Sequence, residues 1–362
     1  MVSLYRYSLP FNKPFLTGKK SFTHREGVLI RFLSNASDLW TEASPLPGFS
    51  DESFAEVSSI LTDRLADLNT FLTSDFELHE LRKWLSSWPA APSLQYALSY
   101  LGLRILALRN KCCPSSFFPF DLSPTLYIND IVGMSEPDEV RHRVHLSGKL
   151  GFTTIKFKAG TNLRELAEIL KDVSADNPGL RFRIDANQGW PTDKLSQFGT
   201  LFSELPVEYV EEPCRYRSTT DLRERVSSLR LPVALDESIR SFEQLKTTKT
   251  SIPSLFIVIK PALYGSIFEM METIFTIRSK RTKMVFSTLL ESKIGRDMTL
   301  FCAAMMGDPN LAHGLNTGFL FKEDLQPDFD IRNGQIGTGS LFRSRGKPIR
   351  YNFLNALNGI HS

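Results

Sequence analysis

The second part of the sequence alternates between short β-rich segments and helical segments, and this alternation constrains the fold more than any other feature. Helical periodicity appears between most of the β-rich segments, as in residues 136–150, 162–173 and 266–280. Eight strands that alternate with helices are typical of a closed barrel of parallel strands. We therefore predict a (β/α) barrel between about residue 124 and about residue 320. The predicted strands are TLYIND (125–130), TIKFK (154–158), RFRIDA (181–186), VEYVEE (207–212), PVALDE (232–237), LFIVIK (255–260), KMVFS (283–287) and LAHGL (311–315).

The regions on either side of the predicted barrel follow other patterns. SLYRYSL (3–9) and GVLIRFL (27–33) predict strands, polar turn-rich stretches follow them, and helical spacing begins at residue 53. Strands followed by helices indicate an α+β segment. The region after the barrel is rich in turns and lacks a helical period, so we expect it to pack back on the N-terminal segment. The predicted domains are residues 1–122, completed by the tail 323–362, and the barrel at 123–322.

Composition argues against several functional classes. The chain has 362 residues, of which 42% are hydrophobic, and its formal net charge is only +3. Because no run of basic residues is present, we do not expect nucleic-acid binding. No apolar run reaches the about 18 residues that cross a membrane, and the N-terminus does not resemble a secretory signal. The cysteines have neither zinc nor disulfide spacing, which fits reduced thiols in a cytoplasmic protein. The oligomeric state stays open, with a homo-oligomer as one alternative.

Charged residues stand at the ends of the predicted strands. In a parallel barrel, functional groups collect at the carboxyl ends of the strands. Lys156 and Lys158 are two residues apart on one strand, so their side chains point to the same face. Since two like charges in a protein interior need an anionic partner, we expect acidic groups or an anionic ligand beside them. The strand-end residues are Lys156, Lys158, Asp185, Asn187, Glu211, Glu212, Asp236, Glu237 and Lys260.

This set of residues predicts a site for a hard cation. Carboxylates that converge without histidine or cysteine are the ligands that Mg²⁺ prefers. Lysines on both sides of the acids suit a small-molecule carboxylate substrate that binds between them. Single members of the set have plainer explanations: Glu212 and Glu237 fit helix caps or supporting groups, and Arg183 fits a buried partner of Asp185. Five consecutive strands with such groups at equivalent ends make independent coincidence a rare event.

The motifs IKFK, DAN, VEEP, LDES and IKP, in this order, resemble the muconate-lactonizing subgroup of the enolase superfamily. The resemblance implies a modified (β/α)₇β barrel with a capping domain built from the N-terminal segment and the C-terminal tail. It also implies Mg²⁺ bound by Asp185, Glu211 and Asp236. Finally, it implies acid/base roles for Lys158 and Lys260, with Lys156 assisting. The histidine of the mandelate-racemase subgroup is absent, because Lys260 and Ser287 stand in its place.

The sequence of the capping region indicates which enzymatic activity of this subgroup to expect. TEASPLPGFSDES (41–53) and the stretch that starts at Thr23 are similar to motifs of the o-succinylbenzoate synthases. That likeness implies dehydration of 2-succinyl-6-hydroxy-2,4-cyclohexadiene-1-carboxylate on the menaquinone pathway. The segment SPLPG within it predicts a stiff turn that could exclude water from the barrel mouth. The D-x-D motif of dipeptide epimerases is replaced by a segment with Asn316.

Two alternative functions remain open from the sequence alone. One is a dipeptide epimerase or N-succinylamino acid racemase, because such enzymes also need lysines on two sides of the substrate. The other is a barrel without catalytic activity that serves as a binding or scaffold protein. Three further residues fit structural roles better than catalytic ones. They are Ser287 as a helix N-cap, His313 as a core or loop histidine, and Cys214 as a packing residue.

Overall fold

An antiparallel sheet begins the chain in the computed structural model, which describes residues 1–17, 20–133, 136–159, 162–247, 255–277, 282–339, 341 and 348–357. Its strands are β1 Val2–Thr17, β2 Lys20–Leu33 and β3 Asp38–Ala43. The two strands predicted in this region are confirmed within β1 and β2. β3 falls in a stretch that was predicted as turns, and that prediction was wrong. This stretch is extended because it pairs with β2, from Leu33↔Asp38 to Val28↔Ala43.

Helices follow this sheet and connect it to the rest of the chain. α1 begins at a capping box, in which the Ser53 hydroxyl accepts from the Glu56 backbone N–H and the Glu56 carboxylate accepts from the Ser53 N–H. α4 is buried on most of its surface, and its Tyr96 hydroxyl lies 3.3 Å from the Cys302 Sγ of a barrel helix. α4 therefore packs between the N-terminal sheet and the barrel. The helices are α1 Phe54–Asp63, α2 Leu65–Thr73, α3 Leu78–Leu85 and α4 Pro92–Arg109.

A parallel sheet of seven strands forms the barrel, and its strands pair in chain order. Such pairing places each crossover helix on the outer face of the sheet. The strands are β5 Asp130–Val132, β6 Thr154–Lys158, β7 Arg181–Asp185, β8 Val207–Glu211, β9 Val233–Leu235, β10 Leu255–Ile259 and β11 Thr282–Phe286. The helices are α5 Pro137–Lys149, α6 Leu163–Asp176, α7 Leu195–Phe202, α8 Thr219–Leu229, α9 Phe242–Thr247, α10 Ile267–Ile277 and α11 Lys293–Met306. The predicted modified (β/α)₇β barrel with an α+β capping domain is confirmed.

The predicted eighth strand, residues 311–315, closes the sheet through single bridges rather than as a regular strand. His313 bridges to Ile128 beside the first barrel strand, and Gly314 bridges to Ser287 just after the last one. The His313 N–H donates to the Tyr127 carbonyl at 2.7 Å, and the Gly314 N–H donates to the Phe286 carbonyl at 2.8 Å. The chain turns away on either side of these two residues, so the ladder is too short to be a strand.

The C-terminal tail returns to the N-terminal sheet, as expected. β14 (Leu354–Ala356) pairs with β1 through Tyr5↔Ala356, Arg6↔Asn355 and Tyr7↔Leu354. Earlier in the tail, β13 pairs with β12 and with β4, which is the first half of the predicted strand TLYIND. The predicted domain boundaries themselves stay a prediction. These remaining strands are β4 Thr125–Tyr127, β12 Ile331–Arg332 and β13 Gln335–Gly337, and 3₁₀ turns lie at Pro114–Phe117, Thr192–Lys194, Pro261–Leu263, Gly318–Leu320 and Tyr351–Phe353.

Two buried carboxylates lie where the N-terminal sheet meets the barrel. Glu42 of β3 accepts hydrogen bonds from the Ser292 N–H at 3.2 Å and the Gly295 N–H at 3.0 Å, so it caps the first turn of α11. The Tyr7 hydroxyl donates to the same carboxylate at 2.6 Å. Glu291 lies beside Glu42, and burial together with the Glu42 charge raises the pKa of Glu291 to about 7. The junction is therefore polar, tightly packed and sensitive to charge.

Within the described residues, no helix is both long and apolar enough to cross a membrane.

Substitution of Gly199 is expected to separate α7 from α8. A Cβ atom at Gly199 would lie 1.7 Å from the Leu229 carbonyl oxygen, so the two helices would have to move apart. We expect Gly199→Ala to lower the free energy of unfolding by about 1–3 kcal/mol in urea denaturation. Gly148 in α5 is a matched control, because a Cβ there meets only Asn177 Oδ1 at 3.5 Å. Gly148→Ala should raise stability by about 0.5–1 kcal/mol, and equal effects of the two variants would contradict this packing.

Glu291 should make stability depend on pH. A carboxyl whose pKa rises from 4.5 to about 7 on folding favours the protonated native state. Stability is then greatest below pH 4.5, falls as the pH rises and levels off above about pH 7. Relative to Glu291→Gln, the native protein should lose about 2–3 kcal/mol of unfolding free energy between about pH 5 and about pH 8. Urea titrations across this range measure the loss, and the exposed Glu269→Gln is the control. Parallel pH profiles for the native protein and Glu291→Gln would show that Glu291 is ionised in the folded state.

Candidate active site at the carboxyl ends of the barrel strands

The predicted site residues point into the barrel, because they lie on the same face of their strands as the apolar residues of the barrel interior. A small apolar cluster fills the interior with Tyr209, Ala234, Phe256, Val258, Val285 and Leu311. Side chains two residues apart on a strand point the same way. Glu211 follows Tyr209 by two residues, Asp236 follows Ala234 by two, and Lys260 follows Val258 by two. The carboxyl end of the barrel is therefore lined by charged groups that stand on an apolar floor.

Strand register brings the first acids and lysines together. Lys158 is paired with Asp185, and Asp185 is paired with Glu211 on the next strand. The Lys156 Nζ lies 2.9 Å from Asp185 Oδ2 and 2.8 Å from both carboxylate oxygens of Glu211. One half-buried ammonium group thus joins two acids on neighbouring strands, and these acids are the anionic partners expected for Lys156.

The electrostatics of this cluster keep Lys156 cationic. Burial alone would lower the pKa of Lys156, but Asp185 and Glu211 outweigh burial and raise it. Burial would likewise raise the pKa of Asp185, yet Lys156 and Lys158 lower it. Burial raises the pKa of Glu211 to about 8; Lys156 opposes this rise, while the charges of Asp185 and Asp236 add to it. Burial therefore has the largest effect on the pKa of Glu211, and the neighbouring acids strengthen this rise while Lys156 offsets part of it.

Lys260 forms the second ion pair of the site. Its Nζ lies 2.5 Å from Asp236 Oδ2. Burial would lower the pKa of Lys260, but Asp236 and Glu211 outweigh burial and raise it. Because the acids stand on β7, β8 and just after β9, Lys158 on β6 and Lys260 after β10 flank them on two sides.

Two aromatic rings of the N-terminal region lie over these flanking lysines. The Lys158 Nζ is 5.9 Å from the centre of the Phe15 ring, which belongs to β1. The Lys260 Nζ is 5.4 Å from the centre of the Phe49 ring. Both distances allow cation–π attraction. Phe49 directly follows the predicted stiff turn SPLPG, and the N–H groups of Phe49 and Ser50 donate to the Leu46 carbonyl. The N-terminal region thus covers both sides of the barrel mouth.

The predicted metal ligands have the right chemistry for a hard cation, although lysines occupy their oxygens here. Across the described ranges, no group of three or more acidic, histidine or cysteine side chains is already arranged to hold an ion. Lys156 bridges Asp185 and Glu211, and Lys260 pairs with Asp236. All three acids are buried, come from adjacent strands and offer oxygen alone. This donor set fits a hard divalent cation better than a softer transition metal.

Glu212 supports the site rather than forming part of its inner surface. Its backbone has φ +42°, and its carboxylate accepts from the N–H groups of Asp236 and Ser238, both at 2.8 Å. The Ser238 hydroxyl donates to it at 2.6 Å and the Gln188 amide at 3.0 Å. Burial raises the pKa of Glu212, and these hydrogen bonds oppose the rise. Glu212 therefore joins the loops after β7 and β9 and fixes the backbone of Asp236. The doubled acid in VEEP was the only sequence signal of this role.

Two other predictions, for Arg183 and Ser287, were wrong. The suggested pairing of Arg183 with Asp185 was wrong: Arg183 lies deeper in the barrel, where it forms an ion pair with Glu208 at 2.6 Å and stacks on Tyr209. The N-cap role of Ser287 was also wrong, because α11 begins at Lys293 and Ser292 is its N-cap. Asn316 donates to the Asp130 carboxylate at 3.0 Å.

Of the remaining residues with open roles, His313 and Cys214 are buried and Glu237 is half-buried. His313 is fully buried, as expected of a core histidine, and its Nδ1 accepts from the Phe286 N–H at 3.0 Å. Burial and the Arg183 charge lower the pKa of His313 to about 3, so its ring is neutral. Burial and the adjacent Asp236 raise the pKa of Glu237 to about 7. Cys214 is buried within the apolar core, as predicted for a packing residue.

Comparisons with known proteins agree with this architecture. Residues 139–340 match the family described as enolase C-terminal domain-like, and residues 1–101 match the family described as MenC, N-terminal domain. The o-succinylbenzoate synthase of Haemophilus influenzae is 27% identical over 323 residues, which cover 87% of this chain and 89% of the relative. Among solved structures, a substrate-liganded L-Ala-D/L-Glu epimerase from Bacillus subtilis superposes with a TM-score of 0.79 at 20% identity, covering 93% of this chain and 95% of that one. The o-succinylbenzoate synthase from Thermosynechococcus elongatus BP-1, complexed with Mg in the active site, superposes with a TM-score of 0.70 at 22% identity, covering 91% and 96%.

Glu212 should control metal affinity without touching the metal. We expect Glu212→Gln to weaken binding of a divalent cation by about tenfold or more, because an amide replaces part of the acceptor set that holds the Asp236 backbone. Isothermal titration with Mg²⁺ measures this change. Glu237→Gln is the matched control, since it removes a carboxylate next to Asp236 but none of the hydrogen bonds described for Glu212. An equal loss in both variants would assign the effect to local charge and reject the supporting role.

Proposed function

This chain belongs to the enolase C-terminal domain-like family, and we propose that it is a Mg²⁺-dependent hydro-lyase that forms o-succinylbenzoate. The substrate would be 2-succinyl-6-hydroxy-2,4-cyclohexadiene-1-carboxylate, on the menaquinone pathway in the cytoplasm. The observation that carries the proposal is the row of three acids on adjacent strands with Lys158 and Lys260 on either side. The match of the N-terminal region to the MenC family and the likeness to o-succinylbenzoate synthases over most of the chain support it.

Asp185, Glu211 and Asp236 would hold the metal ion. They are adjacent, buried and rich in oxygen, and burial raises the pKa of Glu211 to about 8 as long as only lysines balance the cluster. When bound, Mg²⁺ would supply positive charge next to the substrate carboxylate, where negative charge develops during proton removal. Lys156, already bonded to Asp185 and Glu211, would hold these two ligands in place.

Lys158 would perform the proton transfers. Its amine would remove the proton from the ring carbon that carries the carboxylate. The electron pair of that C–H bond would then form a ring double bond as the C–O bond to the departing hydroxyl breaks. The proton taken up by Lys158 would pass to this hydroxyl, so that water leaves and the ring becomes aromatic.

Lys260 would act as an electrostatic partner. Its pKa is raised by Asp236 and Glu211, so it keeps its positive charge and stabilises negative charge on the opposite side of the substrate. Phe49 would exclude water above Lys260, whose side chain is 13% exposed, and so strengthen the charge interactions below it, whereas Phe15 would give the exposed Lys158 a cation–π contact.

The second candidate function is epimerisation of a dipeptide or racemisation of an N-succinylamino acid. Lysines on both sides of the acids would serve a two-base reaction equally well, and the epimerase from Bacillus subtilis has the same fold. Exchange of solvent deuterium into an N-succinylamino acid or a dipeptide at a useful rate would favour this candidate. A protein that neither binds Mg²⁺ nor turns over any of these substrates would instead be a scaffold.

Lys158→Ala tests the proposed chemistry most directly. We expect o-succinylbenzoate formation to fall by about 100-fold or more, because a general base contributes about 10²–10⁴-fold to a rate. The assay follows product absorbance with purified protein, with and without Mg²⁺. Lys149→Ala removes an exposed lysine at the end of α5 and should keep native activity. Near-native turnover by Lys158→Ala would reject Lys158 as the base, and an inactive native protein with Mg²⁺ would reject the proposed reaction.

A further inference from the structure

Arg25 joins the N-terminal sheet to the barrel through an unusual set of bonds. It lies on β2, it is 2% exposed, and its described hydrogen-bond acceptors are all backbone carbonyl oxygens. Its Nε donates to the Leu290 carbonyl at 3.0 Å, and Nη2 donates to Leu289 at 3.4 Å. On the other side, Nη1 donates to Pro45 at 2.9 Å and Nη2 to Ser44 at 2.5 Å. One rigid guanidinium group therefore holds two chain segments that come from different parts of the fold.

Both of these segments lead directly to the barrel mouth. Ser44 and Pro45 precede the turn that carries Phe49, and this turn is stiff because the Ser50 hydroxyl accepts from the Leu46 N–H at 2.9 Å. Leu289 and Leu290 follow the carboxyl end of β11, and Leu290 has φ +60°. Because the turn is stiff, the position of its base fixes the position of the Phe49 ring, 5.4 Å from Lys260 Nζ.

Burying the charged guanidinium of Arg25 costs free energy, which indicates that its hydrogen-bond geometry is important. A buried guanidinium needs all of its donors satisfied, and here carbonyl groups meet that need. The Arg25 charge acts on Glu291 and Tyr7, whose pKa values it lowers against the effect of burial. A lysine could not reproduce the arrangement, because its donors share one nitrogen atom, whereas the acceptors of Arg25 surround a planar fork.

We propose that Arg25 is a positioning residue that holds the Phe49 turn over the Lys260 side of the active site before substrate binds. Rigidity of this cover then favours substrates that fit beneath Phe49 and excludes water from the Lys260 side of the site. The inference deepens the proposed function, on which its catalytic part rests, while its structural part concerns the free protein. Among the contacts of the described residues, Arg25 touches neither the proposed metal ligands nor the active-site lysines.

Hydrogen exchange in the free protein separates positioning from general stabilisation. Arg25→Met should speed exchange at the Phe49 and Ser50 amides, which donate to Leu46, by about tenfold or more. Arg296→Met is the control, because Arg296 is equally buried and pairs with Asp324 and Asp328 of the tail, while its described bond to the 289–291 segment is a single long one, to the Glu291 carbonyl at 3.4 Å. It should leave the peptide that contains residues 46–52 unchanged. The measurement is mass spectrometry of exchanged peptides under conditions where circular dichroism shows both variants folded.

Kinetics provide the second measurement. We expect Arg25→Met to lower kcat/KM for o-succinylbenzoate formation by about 10–100-fold, because a misplaced cover costs about this much, while Mg²⁺ affinity stays native. Arg296→Met should keep kcat/KM within about twofold. If either Met variant does not fold, Arg25→Lys and Arg296→Lys are compared in the same way.

Equal exchange in the 46–52 peptide for both positions would overturn the proposal, as would native kcat/KM in a folded Arg25 variant. If the native protein forms no o-succinylbenzoate, the proposed function fails. The exchange result then decides the positioning role alone.

Discussion

The half-buried Lys156 ammonium group, held between Asp185 and Glu211, is the interaction on which the arrangement of the site depends. Two carboxylates on adjacent strands repel each other in an interior of low polarity, and burial raises the pKa of Glu211 even with the lysine present. The Lys156 ammonium group offsets the repulsion between the two carboxylates, so they stay close together while the barrel mouth stays open. The apolar floor beneath them prevents water from screening the charges. The same arrangement costs stability, and it places three buried carboxylates on adjacent strands where the proposed divalent cation would bind.

Most of the barrel could be predicted because parallel strands buried on both faces read as short apolar runs between helical segments. Seven of these runs form strands, and six of the seven end within one or two residues of the predicted position. The first run is divided into two strands, because Thr125–Tyr127 pairs with the tail. Residues 311–315 were predicted as a strand, yet only two residues hydrogen-bond across the gap. β3 was missed because its pairing with β2, rather than its own polar sequence, makes it extended.

The convergence of the strand-end acids and lysines could also be predicted, since position at a strand end and alternation along a strand decide which side chains meet. The groups that hold and cover them could be predicted only in outline. Glu212 was expected to cap a helix or support the site, but its bonds to residues 24 and 26 positions later have no sequence signal, and Arg25 reaches carbonyl groups more than 260 positions away. Phe49 belongs to the recognised segment 41–53, yet the sequence does not indicate that it approaches Lys260 or that Phe15 approaches Lys158. Contacts of this kind follow from the docking of the N-terminal sheet on the barrel, which single-sequence periodicity does not encode.

Pairing of β14 with β1 has a consequence for biosynthesis. Residues 354–356, which pair with the outer side of β1, are synthesised long after β1 itself. Until then, β1 presents an open row of backbone N–H and C=O groups beside an apolar face, which is the kind of edge that pairs wrongly with other chains. Nascent chains that stall late in translation should thus depend on chaperones far more than their nearly finished barrel suggests.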